Sequence, residues 1–437
     1  MTFGPVRAVL VAAAVAAWPA AARAQGAAPR PSAQFVDGST GLTADDAVER
    51  ALAREPALRA VRSGVDAARG LRRQAGLRPD PEVMFERRDA PTGMDAQTMA
   101  GIEWPLELGR RTGRLAVADR QIDVAALVVA DRERRLAADV RSRYGAVLTG
   151  TRLLDVLTEM SDVTRRQRDL AAARVESGAS PSIERDALDV ELGRLEADVH
   201  MQTGRVQASL SELRRLLAVP ADEPLRLRDT LEEARGRLSV GADRVEPDAA
   251  VRSDVRQAEA RVAVADARLE QIRREARPEL KVFGGYMRMD SAFPQLGQTA
   301  TGRLEPVSGV FHYATGGLKL TLPFNRSRGD AQAARAERVG AAAEAEAVRL
   351  TVDAERQAAK AALDATRAAV RVLERTRATA RRLLDVVEQS YELGRGTLAD
   401  VLLERRRFVE VERAWVEALG AEYDAAVMVN LAAGGVR

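Results

Sequence analysis

Arg78-Pro79-Asp80-Pro81-Glu82-Val83 and Arg277-Pro278-Glu279-Leu280-Lys281-Val282 open two passages that follow one script. Each leads into a pair of alternating segments, the second ending at a proline (Pro105, Pro323). A long charged, alanine-rich stretch follows, then a Gly/Ser/Thr turn (Gly178-Ala179-Ser180 and Gly394-Arg395-Gly396-Thr397). The prolines stand 218 positions apart and the glycines Gly178 and Gly394 stand 216 apart, so the register survives a whole helical stretch. The chain is a duplicated unit of roughly 200 residues, far beyond the 20 to 50 of a solenoid repeat.

Between these landmarks the pattern is helical. Thr43, with Asp46 three residues on, has the form of a capping box. Ala47, Val48, Ala51, Leu52, Leu58, Val61 and Val65 recur at spacings of three and four over 44–77, and Pro56 inside that run should end or kink its first turns. No proline falls between 110 and 177, where Val140, Val147 and Leu154 recur every seven residues beside Leu157. In the second copy Leu363, Val370, Leu384 and Tyr391 share one sevenfold row with Arg377, and Leu373, Ala380 and Val387 share its companion. Such rows are coiled-coil seams. At 1.5 Å per residue the helices expected at 110–177 and 324–393 each span roughly 100 Å, and so do the flanking pairs laid end to end (44–77 with 181–218, 247–276 with 397–433). The pattern predicts a continuous helix, a reversal at the glycine mark and two stacked half-helices on the return. Residues 219–246, with Pro220, Pro224, Gly236 and Gly241, read as short irregular structure joining half-helices at mid-height.

Four short segments read as strands. Leu318, Leu320, Leu322 and Phe324 alternate with Lys319, Thr321 and Pro323; Ile102, Trp104 and Leu106 alternate with Gly101, Glu103 and Pro105; Leu280, Val282, Gly284 and Tyr286 alternate with Glu279, Lys281 and Phe283. Glu82 to Arg88 is the weakest. Strands of about ten residues with one apolar and one polar face match the wall of a membrane barrel. Trp104, Tyr286 and Tyr313 fall where an interfacial aromatic girdle would sit. The connection expected from Asp290 to His312 is longer than that from Ala90 to Gln97, as outward-facing loops are. By composition alone a small soluble hairpin with one face on a core is the favoured reading, but export and the lack of a globular body to cover favour the barrel. Four strands cannot close, and a membrane strand cannot leave its edge open, so closure needs several copies of the chain.

Arg7, the apolar run Ala8 to Trp18 and Ala22-Arg23-Ala24 form an expected secretory signal over 1–24. A flexible Pro/Ala/Gly segment, 25–42, follows it. No later run has the roughly 20 apolar residues of a spanning helix. The formal net charge is +3, and loss of Arg7 and Arg23 leaves +1 with both signs interleaved, which excludes a nucleic-acid footprint. Cysteine is absent, so neither a disulfide nor a lipid-bearing cysteine is available. His200 and His312 are far apart and lack the companion spacing of a metal site. Two histidines make no credible Ser/His/Asp set, and neither a phosphate loop nor a nucleophile elbow is present. The sequence predicts no catalysis, metal or cofactor.

Strand pair, long helix, glycine turn and return helix, given twice over nearly all of the mature chain, resemble the TolC family of outer-membrane efflux proteins. The resemblance implies a mainly α fold with a membrane β part: three protomers build a 12-stranded barrel continued by a periplasmic α-helical tunnel. It implies a passive homotrimeric duct in outer-membrane lipid with a large periplasmic extension, opened by a periplasmic adaptor and an inner-membrane pump of the RND type. Ile102-Glu103-Trp104-Pro105-Leu106-Glu107-Leu108-Gly109-Arg110-Arg111, with Arg114, is more similar to the heavy-metal branch (CzcC-like and CusC-like) than to multidrug or type I secretion members, which implies heavy-metal cations as cargo. On this reading 43–218 is the first efflux repeat with its strands in 79–108, 219–246 an equatorial linker, 247–433 the second repeat with its strands in 278–324, and 434–437 a tail.

Carried onto this chain, the resemblance makes Gly178, Ala179, Ser180, Gly394, Arg395, Gly396 and Thr397 the tips that meet the adaptor. An acidic residue six positions after each tip glycine and a tyrosine three before the second belong to the closed iris of the family; these are Glu184, Asp400 and Tyr391. The chain departs at Leu403, where a second acidic position is expected, and at Gly396, where the gate arginine is expected and Arg395 stands one place earlier. Plainer readings stand beside these. Asp400 suits a helix N-terminus as any anion does, Tyr391 on a seam row can be packing, and the Arg/Glu runs are solvated faces. A different class also remains open: a periplasmic adaptor or structural coiled coil without a barrel, whose mark would be one helical hairpin between two halves of a β domain.

Overall fold

The computed structural model describes residues 31–91, 95–244, 252–322 and 328–435. The expected signal over 1–24 lies outside these, as do Pro323 and Phe324 at the end of the fourth alternating segment. Pro56 divides the first expected helix into α1 (Ala44–Arg54) and α2 (Pro56–Ala75). The Thr43 hydroxyl accepts from the Asp46 amide at 3.2 Å and the Asp46 carboxylate from the Thr43 amide at 3.3 Å, closing the capping box. At the break Glu55 turns to extended backbone, and its carboxylate caps the Leu58 amide at 2.5 Å. The remaining helices are α3 (Arg110–Glu176), α4 (Ser182–Leu217), α5 (Leu231–Arg244), α6 (Ser253–Glu275), α7 (Arg328–Glu392) and α8 (Leu398–Ala432). With 67 and 65 residues, α3 and α7 are each about 100 Å long.

Four helical columns result. α3 packs against α2 and α4 and against α6 and α8, while α7 packs against α6 and α8. The long helices are thus each paired with half-helices stacked end to end. The sevenfold rows form the seams: Val140, Val147 and Leu154 are fully buried, and Leu363, Val370 and Leu384 nearly so. Each such side chain contributes about 1.5–3 kcal/mol of burial. At Gly145 and Gly420 α3 and α8 come so close that an added Cβ would overlap the Tyr423 ring and the Thr149 side chain.

Mid-height is more ordered than the sequence suggests. Residues 219–246 were expected to be irregular, yet Leu231–Arg244 is a helix with Leu231 and Ala234 buried, packed on α8 and tied to it by Arg235 and Glu422 at 2.9 Å. Burial of those two apolar residues holds a helix that Gly236 and Gly241 weaken. Within the segment expected to be loose, Pro31–Gln34 is a short 3-10 helix, Phe35 is buried, and Val36 and Leu42 bridge to Leu227. Here α8 ends against the start of α6. Arg134 donates to the Leu431 carbonyl at 2.7 Å and Arg252 to the Ala432 carbonyl at 3.2 Å. Both arginines are buried, and Asp131, Asp254 and Glu355 neutralise them.

The two repeats contribute to one antiparallel sheet of order β1 (Glu82–Asp89), β2 (Asp95–Leu106), β3 (Glu279–Gln298) and β4 (Leu304–Thr321). β3 and β4 are 20 and 18 residues long. The long outward loop expected from Asp290 to His312 is therefore mostly paired strand, carried past a register shift between Ala292 and Leu296 to a turn at 299–303. Cross-strand hydrogen bonding extends the ladder beyond the reach of β1 and β2, which alternation alone does not reveal. One sheet shared by two helical hairpins is not the plan of an adaptor, so that alternative falls.

The motif around Arg110 joins sheet to helices. Arg111 donates to the Gly76 carbonyl at 2.5 Å, and Arg114 to those of Ala75 and Leu77 at 3.3 and 3.1 Å while pairing with Glu107. Arg110 donates to the carbonyls of Glu275 and Arg277, both at 3.1 Å, and to Glu279. The C-terminal ends of α2 and α6 thus each receive guanidinium donors, which satisfy orphan carbonyls and suit the negative end of the helix dipole.

Candidate functional site at the hairpin tips and the sheet

Both helical reversals are built alike. The Ala179 amide donates to the Arg174 carbonyl at 2.8 Å and Gly178 to Val175 at 2.9 Å; in the second copy Arg395 donates to Ser390 and Gly394 to Tyr391, each at 2.9 Å. These are the two bonds of a Schellman turn. Gly178 and Gly394 take φ of 73° and 71°, the left-handed region that a side chain disfavours, and an added Cβ at either would meet nothing within 4 Å. Ala179, Arg395 and Thr397 are exposed beside them, with Ser180 and Gly396 half-buried.

Just behind the turns the two hairpins meet. Ala171, Leu188, Leu398 and Leu402 form a small core of their own, with Ala187 and Tyr391 packed on it. The Tyr391 hydroxyl donates to Glu184 Oε2 at 3.2 Å, across 207 positions of sequence. Burial and the Glu184 carboxylate push the phenol above its ordinary range, so the donor stays protonated at neutral pH. Asp400 is not drawn into this contact. It is exposed, accepts from the Thr397 hydroxyl at 2.6 Å and from the Thr397 amide at 3.2 Å, and so closes the capping box of α8. Those bonds hold its carboxyl below the usual range. Leu403 is exposed.

Further along, a buried charge layer lies between the hairpins that the sequence reading passed over. Glu191, 1% exposed, accepts from Arg194 at 2.7 Å and from Arg406 at 2.8 Å. Burial opposes its charge, but the two guanidinium partners outweigh it and hold the carboxyl below its ordinary range. Arg405, equally buried, bonds to Glu388 and to Gln167, the latter at 2.5 Å. The available signal was a charge interrupting an apolar stripe: Arg405 and Glu412 stand among Leu398, Val401, Leu402, Phe408, Val409 and Val416.

At the other end the sheet has two chemically different faces. Register puts Leu106, Leu280 and Leu320 in one rung, Trp104, Val282 and Leu318 in the next, then Val83, Ile102, Gly284 and Gly316. This face is exposed along most of its length, with Leu280 half-buried, and its leucines meet no core. Trp104 and Tyr286 belong to it. Tyr313 does not: it pairs with Met287 on the opposite face, so the expected girdle loses that member. On the opposite, less exposed face Glu103 accepts from Lys281 at 2.7 Å, with Lys319 at 4.0 Å. Among the described residues no helix is long and apolar enough to cross a membrane, and no His/Cys/Asp/Glu cluster suits a metal ion.

The sequence profile described as outer membrane efflux protein matches residues 47–219 and 249–435. No curated protein sequence matches the chain significantly. Among solved structures the chain is similar to CusC, with a TM-score of 0.72 at 15% identity, covering 90% of this chain and 92% of that one. It is similar to the outer membrane protein VceC of Vibrio cholerae (0.69, 15% identity, 90% and 96% covered). A third likeness is to the MtrE outer membrane channel of Neisseria gonorrhoeae in its open state (0.69, 17% identity, 90% and 89% covered). At these identities the likeness speaks for the fold alone. With both helical hairpins and both strand pairs inside the matched segments, the chain belongs to the outer membrane efflux protein family.

Proposed function

We propose that three copies of this chain close a 12-stranded barrel in the outer membrane and a helical tunnel beneath it, forming a passive duct that a periplasmic adaptor engages at the tips. An inner-membrane pump of the RND type supplies the energy. Unpartnered lateral edges carry this reading. β1 and β4 each have one unpaired side in the sheet, and a membrane barrel tolerates no such edge. In the helical layer α4 exposes Ile183 and Val190 seven residues apart, and α7 exposes Val372 and Val386 on one sevenfold row that Leu393, in the turn just after it, continues. Set antiparallel, Leu393 faces Ile183, Val386 faces Val190 and Val372 faces Gly204, an apolar seam between neighbouring copies.

The absence of cysteine makes the test clean. A chain carrying both Val190→Cys and Val386→Cys, oxidised in isolated outer membranes, should run as a covalent trimer that collapses to monomer on reduction. A band that stays monomeric after oxidation would overturn the assembly.

The tips support docking because their outer surface is small and open, which suits close approach of a partner hairpin. Ala179→Trp should abolish efflux while leaving the amount of trimer in the membrane unchanged; retained resistance would refute docking there. In the same reading Tyr391 and Glu184 hold the passage closed, and Asp400, repeated about the axis, contributes a negative ring. Resemblance of the Ile102–Arg111 stretch to the heavy-metal branch supports heavy-metal cations as cargo. Survival of a pump-competent strain lacking its own duct, challenged with metal salts or with drugs, separates that cargo from others.

A further inference from the structure

We infer that the less exposed face of the sheet, the one bearing Glu103 and Lys281, carries a thioether site for a soft monovalent cation, Ag(I) or Cu(I), in its path through the duct; this rests on the duct reading above. The chain has nine methionines, and four of them, Met84, Met99, Met287 and Met289, fall on one face of one sheet. Met99 and Met287 are direct cross-strand partners, which puts their Cβ atoms about 5 Å apart. Met289 is two residues further along β3 and so on the same side, where its sulfur accepts a hydrogen bond from Gln97 Nε2 at 3.2 Å that a bound cation would replace. Met84, on β1, pairs with Gly101, and its methyl carbon lies 3.9 Å from where a Cβ of that glycine would be. With no side chain at Gly101, Met84 and the Met99–Met287 pair are diagonal neighbours across three adjacent strands.

Core packing does not account for these residues. None of the four belongs to a hydrophobic core cluster, and the β strands pack chiefly on one another. The opposite face holds the leucines, valines and Trp104 that suit lipid, so the methionine face is the one turned to the passage. The Met99–Met287 pair lies two same-face rungs beyond Glu103 and three beyond Lys281, on the side away from the helices. Thioethers are soft donors that select Cu(I) and its congeners over hard cations. Being neutral, they need lose no proton to bind, unlike a thiol or an imidazolium. The chain offers no thiolate as competitor, and His312 lies on the outward face, bonded to Tyr286. A few exchangeable thioethers, repeated in each copy, give binding strong enough to admit a cation and weak enough to release it, as conduction requires.

The test is a titration of the full-length detergent-solubilised protein with silver nitrate in chloride-free buffer, followed by calorimetry. Wild type should bind Ag(I) saturably. A variant with Met99→Leu, Met287→Leu and Met289→Leu, swaps that conserve volume, should bind at least tenfold more weakly, Met84→Leu should have a smaller effect, and Zn(II) should not tell wild type from variant. Size-exclusion and outer-membrane fractionation of the same samples read assembly separately. If the triple variant assembles normally and binds Ag(I) as wild type does, the methionines are an apolar lining only and the inference fails while the duct stands. If neither protein is trimeric, the duct reading fails, and a saturable Ag(I) site lost in the variant would still be seen on the protomer.

Discussion

α3 and α7 are one element written twice, 67 and 65 residues long, yet 21 residues of α3 are buried and only six of α7. The difference is position. α3 lies between two columns, whereas α7 has α6 and α8 on one flank and exposes Val339, Leu350, Val372 and Val386 elsewhere. Duplication copied the helix and its seam rows; the place of each copy in the layer decided how much of its surface water can reach. The contrast teaches that α7 is finished by something outside the protomer, and that the same kind of substitution should read out as folding in α3 and as assembly in α7.

The sharpest way to break that contrast is a pair of truncations. Leu154→Ala in α3 should cost about 2–5 kcal/mol of protomer stability, measured by denaturant unfolding, whereas Val386→Ala should cost under about 0.5 kcal/mol and instead lower trimer yield on native gels. Equal losses in folding would end the distinction. A second pair uses glycines: Gly145→Ala, aimed into the Tyr423 ring, should destabilise by about 1–3 kcal/mol, but Gly340→Ala, on α7 with open space around it, should stabilise by about 0.5–1 kcal/mol.

Acid should loosen the contact between the hairpins. The folded pKa of Glu191 is depressed, so its contribution is complete above the ordinary carboxylate range and is lost as pH falls through the folded value. At about 1.5 kcal/mol for hydrogen bonds to a charged group, the loss should appear as faster amide exchange in α4 and α8 on acidification. Glu191→Gln should flatten that pH dependence, and an unchanged profile in the variant would assign it to other groups. The smallest expected effect separates the two tips. Thr397→Ala removes a side-chain cap and should cost about 1 kcal/mol; Pro181, at the matching place, makes no side-chain cap bond, and Pro181→Ala should stay within about 0.5 kcal/mol. Thermal melts of both variants measure the difference.

Much of this was legible in the chain because it is local. Seven-residue rows named the seam leucines and valines, Pro56 named the break between α1 and α2, and two glycines named the reversals, since each acts within a turn or two of backbone. Long-range facts were not legible. The Tyr391–Glu184 bond joins residues on different hairpins, the α5 helix depends on burial against α8, and the length of β3 depends on its partner. Register hid the methionines: Met84, Met99 and Met287 are scattered in sequence and share a face only once three strands are aligned. Asp400 shows the converse, for the local cap seen in the sequence is the only bonding the structure gives it among the described residues.

The joint at mid-height gives the molecule a gear ratio. α3 and α7 pass that level unbroken, but the columns beside them are interrupted there, at Glu55 and where the end of α8 rests on Arg134 and Arg252. Below it hang roughly 50 Å of helix, so a tilt of about 5° at the joint sweeps a tip sideways by about 4 Å, the width of a water layer and more. In the docking proposed above, a partner on the tips works at the long end of a lever whose fulcrum is a pair of buried arginines, and a small force there reaches the joint without disturbing the strands above.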